Sequence, residues 1–174
     1  MTLDTVYVLI LRIVHITSGV FWVGTSMFLV IILEPTIKSA GADGSRFASK
    51  LAASKMSTVF AAAAGITLLA GILLYIHNVA VIGGDWAKAG PGLVFGIGAI
   101  FGIAGGAVGG TIGSLTKKIA QLGKQIEASG APPTAEQQQQ MMSLNERLSR
   151  ISRIDLGLVL VALVLMEVAR YIPS

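Results

Sequence analysis

Residues 11–25, LRIVHITSGVFWVGT, place the Arg12 guanidinium and the His15 imidazole one helical turn apart inside an apolar run. A neutral imidazole offers a nitrogen lone pair to a metal, and axial histidine is a common ligand of haem iron. A guanidinium suits carboxylates, haem propionates among them, through charge-assisted hydrogen bonds. Arg12, His15, Ser18, Gly19, Trp22 and Ser26 follow steps of three and four, so they share one face of a helix. Val6, Ile10, Ile13, Val20 and Met27 occupy the other face and suit lipid. An ionisable side chain is costly in a bilayer, so the polar stripe is expected to point into a bundle.

The chain has two histidines, and the second, His77, lies in the apolar segment LLYIHNVA. If the first two apolar helices run in opposite directions, His15 stands about five residues, and His77 about seven, to the outer side of the respective midpoints; at ~1.5 Å per residue the two depths nearly coincide. Two imidazoles at one level predict axial ligation of haem b, with His15 and His77 on the metal. Arg12 is then the propionate partner, Arg170 and Lys88 are further basic candidates, and Gly19 and Trp22 line the pocket. Met166 is an alternative axial partner for His15. Closely packed helices stand roughly 8–10 Å apart, too close to hold a haem between them, so these two must splay or sit diagonally to share one iron. The plainer readings are a His15 hydrogen bond to a neighbouring helix, an interfacial His77 beside Asn78, an Arg12–Glu167 ion pair, and Trp22 as packing.

The elements that must position these residues follow from composition. Of 174 residues, 53% are hydrophobic and 13% charged, too little polar surface for a soluble domain. The apolar residues gather in four blocks, 6–33, 58–82, 92–115 and 154–172. A helix of about 20 such residues spans the hydrocarbon core. Lipid satisfies no backbone polar group, so each block must be helical, and the alternation of a membrane β-barrel is missing. The expected fold is all-α: an integral membrane four-helix bundle forming one domain over 1–174. Asp4, and the lack of an early Lys or Arg, mark the first block as a retained helix rather than a cleaved leader. The absence of cysteine excludes disulfides and thiolate metal sites. The net charge of +4 resides in loops and is no nucleic-acid signal.

Lys38, Arg46, Lys50 and Lys55 fall in the first loop, and Lys117, Lys118, Lys124, Arg147, Arg150 and Arg153 in the third. The positive-inside rule assigns both loops to the cytoplasm and both termini to the outside of a plasma (inner) membrane. Trp86 and Tyr171 then read as interface anchors, and Glu34-Pro35 as the end of the first helix. Residues 114–129 and 134–153 are helix-prone around the breaker GAPP, and Thr134 with Gln137 fits a capping box. The third and fourth helices are therefore expected to extend into a cytoplasmic hairpin over 114–153. Ile119, Leu122 and Ile126 would face Met141, Leu144, Leu148 and Ile151, either stiffening the bundle or docking a soluble partner. Gly98, Gly102, Gly106 and Gly110, with Gly105, Gly109 and Gly113, make two ladders on the third span. They allow close helix approach, including homo- or hetero-oligomer contacts, or leave room for a flat cofactor.

The string His15-x-x-x-Gly19-x-x-Trp22-x-Gly24 resembles the first helix of the copper-resistance D-type membrane domain. It is also similar to the membrane protoporphyrinogen oxidases of the HemJ type, which have a histidine, a tryptophan seven residues later and then a small residue. The likeness covers the first span and the general four-helix plan. It implies haem b on the residue matching His15 and, from the copper-resistance side, copper handling. This chain departs from the oxidases in having no histidine beyond His15 and His77 and no basic residue in the third span. Met27, Met56, Met141, Met142 and Met166 lie in separate segments and form no cluster for soft copper. The leading expectation is a membrane b-type cytochrome exchanging electrons with quinone or a partner subunit. Its alternatives are a membrane oxidoreductase acting on a porphyrinogen and a non-catalytic membrane subunit or anchor.

Overall fold

The computed structural model describes residues 2–173, and all its regular structure is helical. Five helices follow one another: α1 (Leu3–Ser39), α2 (Gly41–Ala53), α3 (Met56–Ile82), α4 (Gly90–Ala128) and α5 (Ala135–Ala169). A short 3₁₀ turn, Gly84–Lys88, joins α3 to α4. The all-α expectation holds, but the count of four helices does not, because the first loop is itself largely helical.

Pro35 was expected to stop the first helix. Instead α1 runs on to Ser39 through a π-helical stretch, Phe28–Leu33. Proline lacks an N–H and crowds the carbonyl one turn back, and widening the preceding turn relieves both problems. The chain reverses into α2 at Gly41 and leaves α3 at Gly83, whose φ of 114° a side chain would resist. At the far end of α4, Gly130 turns the chain with φ 62°. Thr134 then caps α5: its hydroxyl accepts from the Gln137 N–H at 3.2 Å while the Gln137 side chain accepts from the Thr134 N–H at 2.9 Å. This is the capping box expected from the sequence.

Three helices, α1, α3 and α4, are long and apolar enough to cross a membrane. The fourth expected span, in α5, is not among them. Arg153, Asp155 and Glu167 leave only residues 156–166 free of charge. That stretch packs along α4 nonetheless, and α4 and α5 share the largest contact in the molecule.

Small residues set the register. From α1 to antiparallel α3, His15 lies over Gly71, Gly19 meets Thr67, and Trp22 shares a cluster with Ala63. Between α4 and α5, Gly98 receives Leu165 and Met166, Gly102 approaches Ala162, and Gly105 receives Val159. Leu68 of α3 sits over Gly102 and Gly106. Without a hydrophobic force between helices in lipid, such close backbone approach is what dispersion can exploit. The ring closes where Trp22, 3% exposed, meets Leu156 and Val159 of α5.

Beyond the apolar block, α4 and α5 continue as a helical stalk. Leu115, Ile119 and Leu122 are buried along α4, and Met141, Leu144, Leu148 and Ile151 are half-buried along α5. In water each buried aliphatic side chain contributes at most about 1.5–3 kcal/mol. The α2 helix also packs on this stalk, with Ser49 against Gly123.

Candidate functional site

The polar stripe of α1 largely faces α3, as its spacing predicts. His15 Nδ1 lies 2.8 Å from the Thr67 carbonyl oxygen. A carbonyl only accepts, so Nδ1 carries the hydrogen, and in the neutral ring it is Nε2 that holds the lone pair. The Thr67 hydroxyl stands 2.8 Å from both the Ser18 hydroxyl and the Ala63 carbonyl. The Ser18 hydroxyl donates in turn to the Val14 carbonyl at 2.6 Å. A β-carbon on Gly71 would come 2.7 Å from His15 Cε1, so the ring rests directly on the α3 backbone.

His77 occupies the same seam nearer the chain termini. Its Nε2 lies 3.5 Å from an Asp4 carboxylate oxygen, and its ring is 5.7 Å from that of Tyr7 at a tilt of 58°. Six residues separate Gly71 from His77, a rise of about 9 Å along α3. The two imidazoles are therefore not at one level and have separate partners. The depth expectation erred because it centred the first helix on 6–33. His15 is paired with the middle of α3, and the π stretch and its continuation extend α1 towards the stalk.

The other candidates disperse. Arg12 is exposed and borders a shallow groove with Asp4, Thr5, Val8 and Leu9. Glu167, its proposed partner, pairs with Arg170 at 3.3 Å, and Lys88 pairs with Asp85 at 2.9 Å. Trp22 is core, and Gly19 admits the Thr67 methyl group. A β-carbon on Gly98 would meet the Met166 methyl at 3.3 Å, which puts Met166 in the α4–α5 seam rather than beside His15.

A haem shared by His15 and His77 does not fit this arrangement. The His15 ring rests directly on the backbone at Gly71, His77 lies towards Asp4 and Tyr7, and the rings stand about two turns apart. The glycine ladder leaves no flat slot from Gly98 to Gly106, because Leu68, Val159, Ala162, Leu165 and Met166 fill it. Among the described residues no group of three or more His, Asp or Glu side chains is placed to hold a metal ion.

Two buried polar groups lack partners: Ser26, on the inward stripe of α1, and Asp155, which the sequence did not single out. Asp155 is 2% exposed, and its Oδ1 has no hydrogen-bond partner. Ser26 is 4% exposed, and its hydroxyl is likewise unpartnered. The available signal for Asp155 was an acidic residue one position inside the block 154–172.

Towards the stalk, Glu34 binds Lys38 and the Ser149 hydroxyl, and Arg153 at 3.2 Å, tying α1 to α5. Burial alone would raise the Glu34 carboxyl pKa. The hydrogen bonds from Lys38 and Ser149 and the charges of Lys38 and Arg153 outweigh it and leave the carboxyl below its ordinary range.

Comparison with known proteins returns no matching family, no matching characterised protein and no matching solved structure.

Proposed function

We propose that the chain is a membrane-embedded, non-catalytic subunit that anchors a larger assembly. The observation that supports this most is the closure of the intramembrane body by its own side chains at His15 and along Gly98, Gly102, Gly105 and Gly106. Farther along α4, β-carbons on Gly109, Gly110 and Gly113 would meet nothing within 4 Å, which leaves a small-residue stripe free for a helix of another chain. The stalk, polar outside and held by its aliphatic seam, is the part a soluble partner would engage.

In this reading the protein sits in the plasma (inner) membrane with both termini outside, and α5 crosses beside α4 as a fourth span. Ten of its 13 Lys and Arg residues lie in the first and third loops, while Lys88 and Arg170 lie at the opposite end. Native mass spectrometry of the chain extracted from its own membranes tests the proposal. An assembly heavier than one 18.1 kDa chain, without a bound tetrapyrrole, is the expected result. A bare monomer overturns it.

One observation favours a second reading, a b-type haem protein using His15 alone. Its Nδ1–H is tied to a backbone carbonyl and its Nε2 is bare, the arrangement that orients metal-binding histidines. Haem would supply one-electron chemistry there, whether for electron transfer or for oxidation of a porphyrinogen. His15 would bind through Nε2, Thr67 would fix the ring, and Gly71 would support its face. Co-purification of haem that is lost in His15→Ala moves this reading ahead.

A further inference from the structure

The least expected group in the body is Asp155. It is 2% exposed, one carboxylate oxygen lacks any partner, and it faces Gly105, where a β-carbon would stand 3.5 Å from that oxygen. Gly105 lies near the centre of the apolar block of α4, so Asp155 is held within the apolar layer. Leaving a carboxylate ionised there without a counter-charge costs far more than any neighbouring contact returns.

The elements packed around Asp155 supply no cation. On α4 no charged residue occurs between Gly90 and Thr116. On α3 the only titratable side chains are Tyr75 and His77, towards the other end, and His77 belongs to Asp4. On the facing part of α1, Trp22, Ser26 and the stretch Phe28–Leu33 are uncharged; His15 is held by Thr67, and Arg12 is exposed towards the other end. On α5 itself Arg153 is engaged with Glu34 at 3.2 Å. Ser26 is one turn beyond Trp22, and Asp155 is one turn beyond Val159 and next to Leu156. Trp22, Leu156 and Val159 share one cluster and the helices are antiparallel, so the two unpartnered groups fall at the same level.

We propose that Asp155 is a proton-binding site inside the membrane, held as the neutral acid, with Ser26 as its polar neighbour. A proton on the carboxyl removes the buried charge and creates a donor for an oxygen acceptor. The two carboxylate oxygens of Asp155 and the Ser26 hydroxyl are three side-chain oxygens, too few for a hard metal cation, which takes six or more. The site is independent of whether the chain binds haem or anchors a partner.

The test uses the full chain in lipid vesicles at neutral pH. Infrared spectroscopy is expected to show a carboxylic-acid C=O stretch that is lost in Asp155→Asn and shifted, but kept, in Ser26→Ala. Dicyclohexylcarbodiimide, which attacks protonated carboxyls in apolar surroundings, is expected to modify Asp155 in the unmutated chain, mapped by peptide mass. That arm holds even if Asp155→Asn fails to fold. Absence of both the acid stretch and the adduct overturns the proposal. So does protection of Asp155 by sodium or potassium at constant pH, which would assign the site to a metal cation.

Discussion

Gly71 decides how closely α1 approaches α3 at His15. Gly71→Ala would put a β-carbon 2.7 Å from a ring carbon that a hydrogen bond to Thr67 holds in place. Overpacking of this kind typically costs about 1–3 kcal/mol, so the variant is expected to melt lower in detergent. Gly65→Ala on the same helix meets open space and should be neutral or stabilising by up to about 1 kcal/mol. Equal melting points would mean that the His15–Gly71 contact is not what sets the spacing. At this scale the three- and four-residue steps correctly turned Ser18, Gly19, Trp22 and Ser26 inward. They failed for Arg12, which lies at the edge of the stripe and whose long side chain turns outward. Asp155 was overlooked because a charge near the end of an apolar block usually reads as its boundary. Only its packing against Gly105 shows otherwise.

Among the elements, the hairpin was the most legible. Period-matched Ile119 and Leu122 do line the seam opposite Met141, Leu144 and Leu148, and the capping box starts α5 where Thr134 and Gln137 indicated. The α2 helix was not legible, because Gly41, Asp43, Gly44 and Ser45 are poor helix formers and packing of α2 on the stalk stabilises it. The Glu34 clasp was equally hidden, since Ser149 and Arg153, its partners on α5, lie more than a hundred residues away in sequence. Its pH dependence follows from the sign of the shift. A carboxyl whose folded pKa is depressed contributes stability that is fully present above its unfolded value, about 4.3, and lost as pH falls through the lower folded value. Thermal melts of the unmutated chain should therefore weaken in acid, while Glu34→Gln should start lower at neutral pH and lose less on acidification. The same acid dependence in Glu34→Gln would remove the clasp from the account. The effect is small, since exposed ion pairs contribute about 0–1 kcal/mol each.

For the whole molecule, membrane character was written in three of the four apolar blocks, those of α1, α3 and α4, whereas relative depth was not. Depth depends on how helices slide past one another, and here small-residue contacts set that slide. The absence of native cysteine makes orientation directly testable. A cysteine placed at Ser129, on the hairpin tip, should resist a membrane-impermeant maleimide in intact cells, and one at Tyr171 should react; the reverse pattern would invert the proposed topology. The central claim is that His15 and His77 are seam residues at separate levels, not paired ligands of one iron. Reduced-minus-oxidised absorption spectra of the purified chain and of its His15→Ala and His77→Ala variants test it most directly. The expected result is no haem bands, or bands that depend on His15 and are indifferent to His77. Sharp bands abolished by either substitution alone would contradict it.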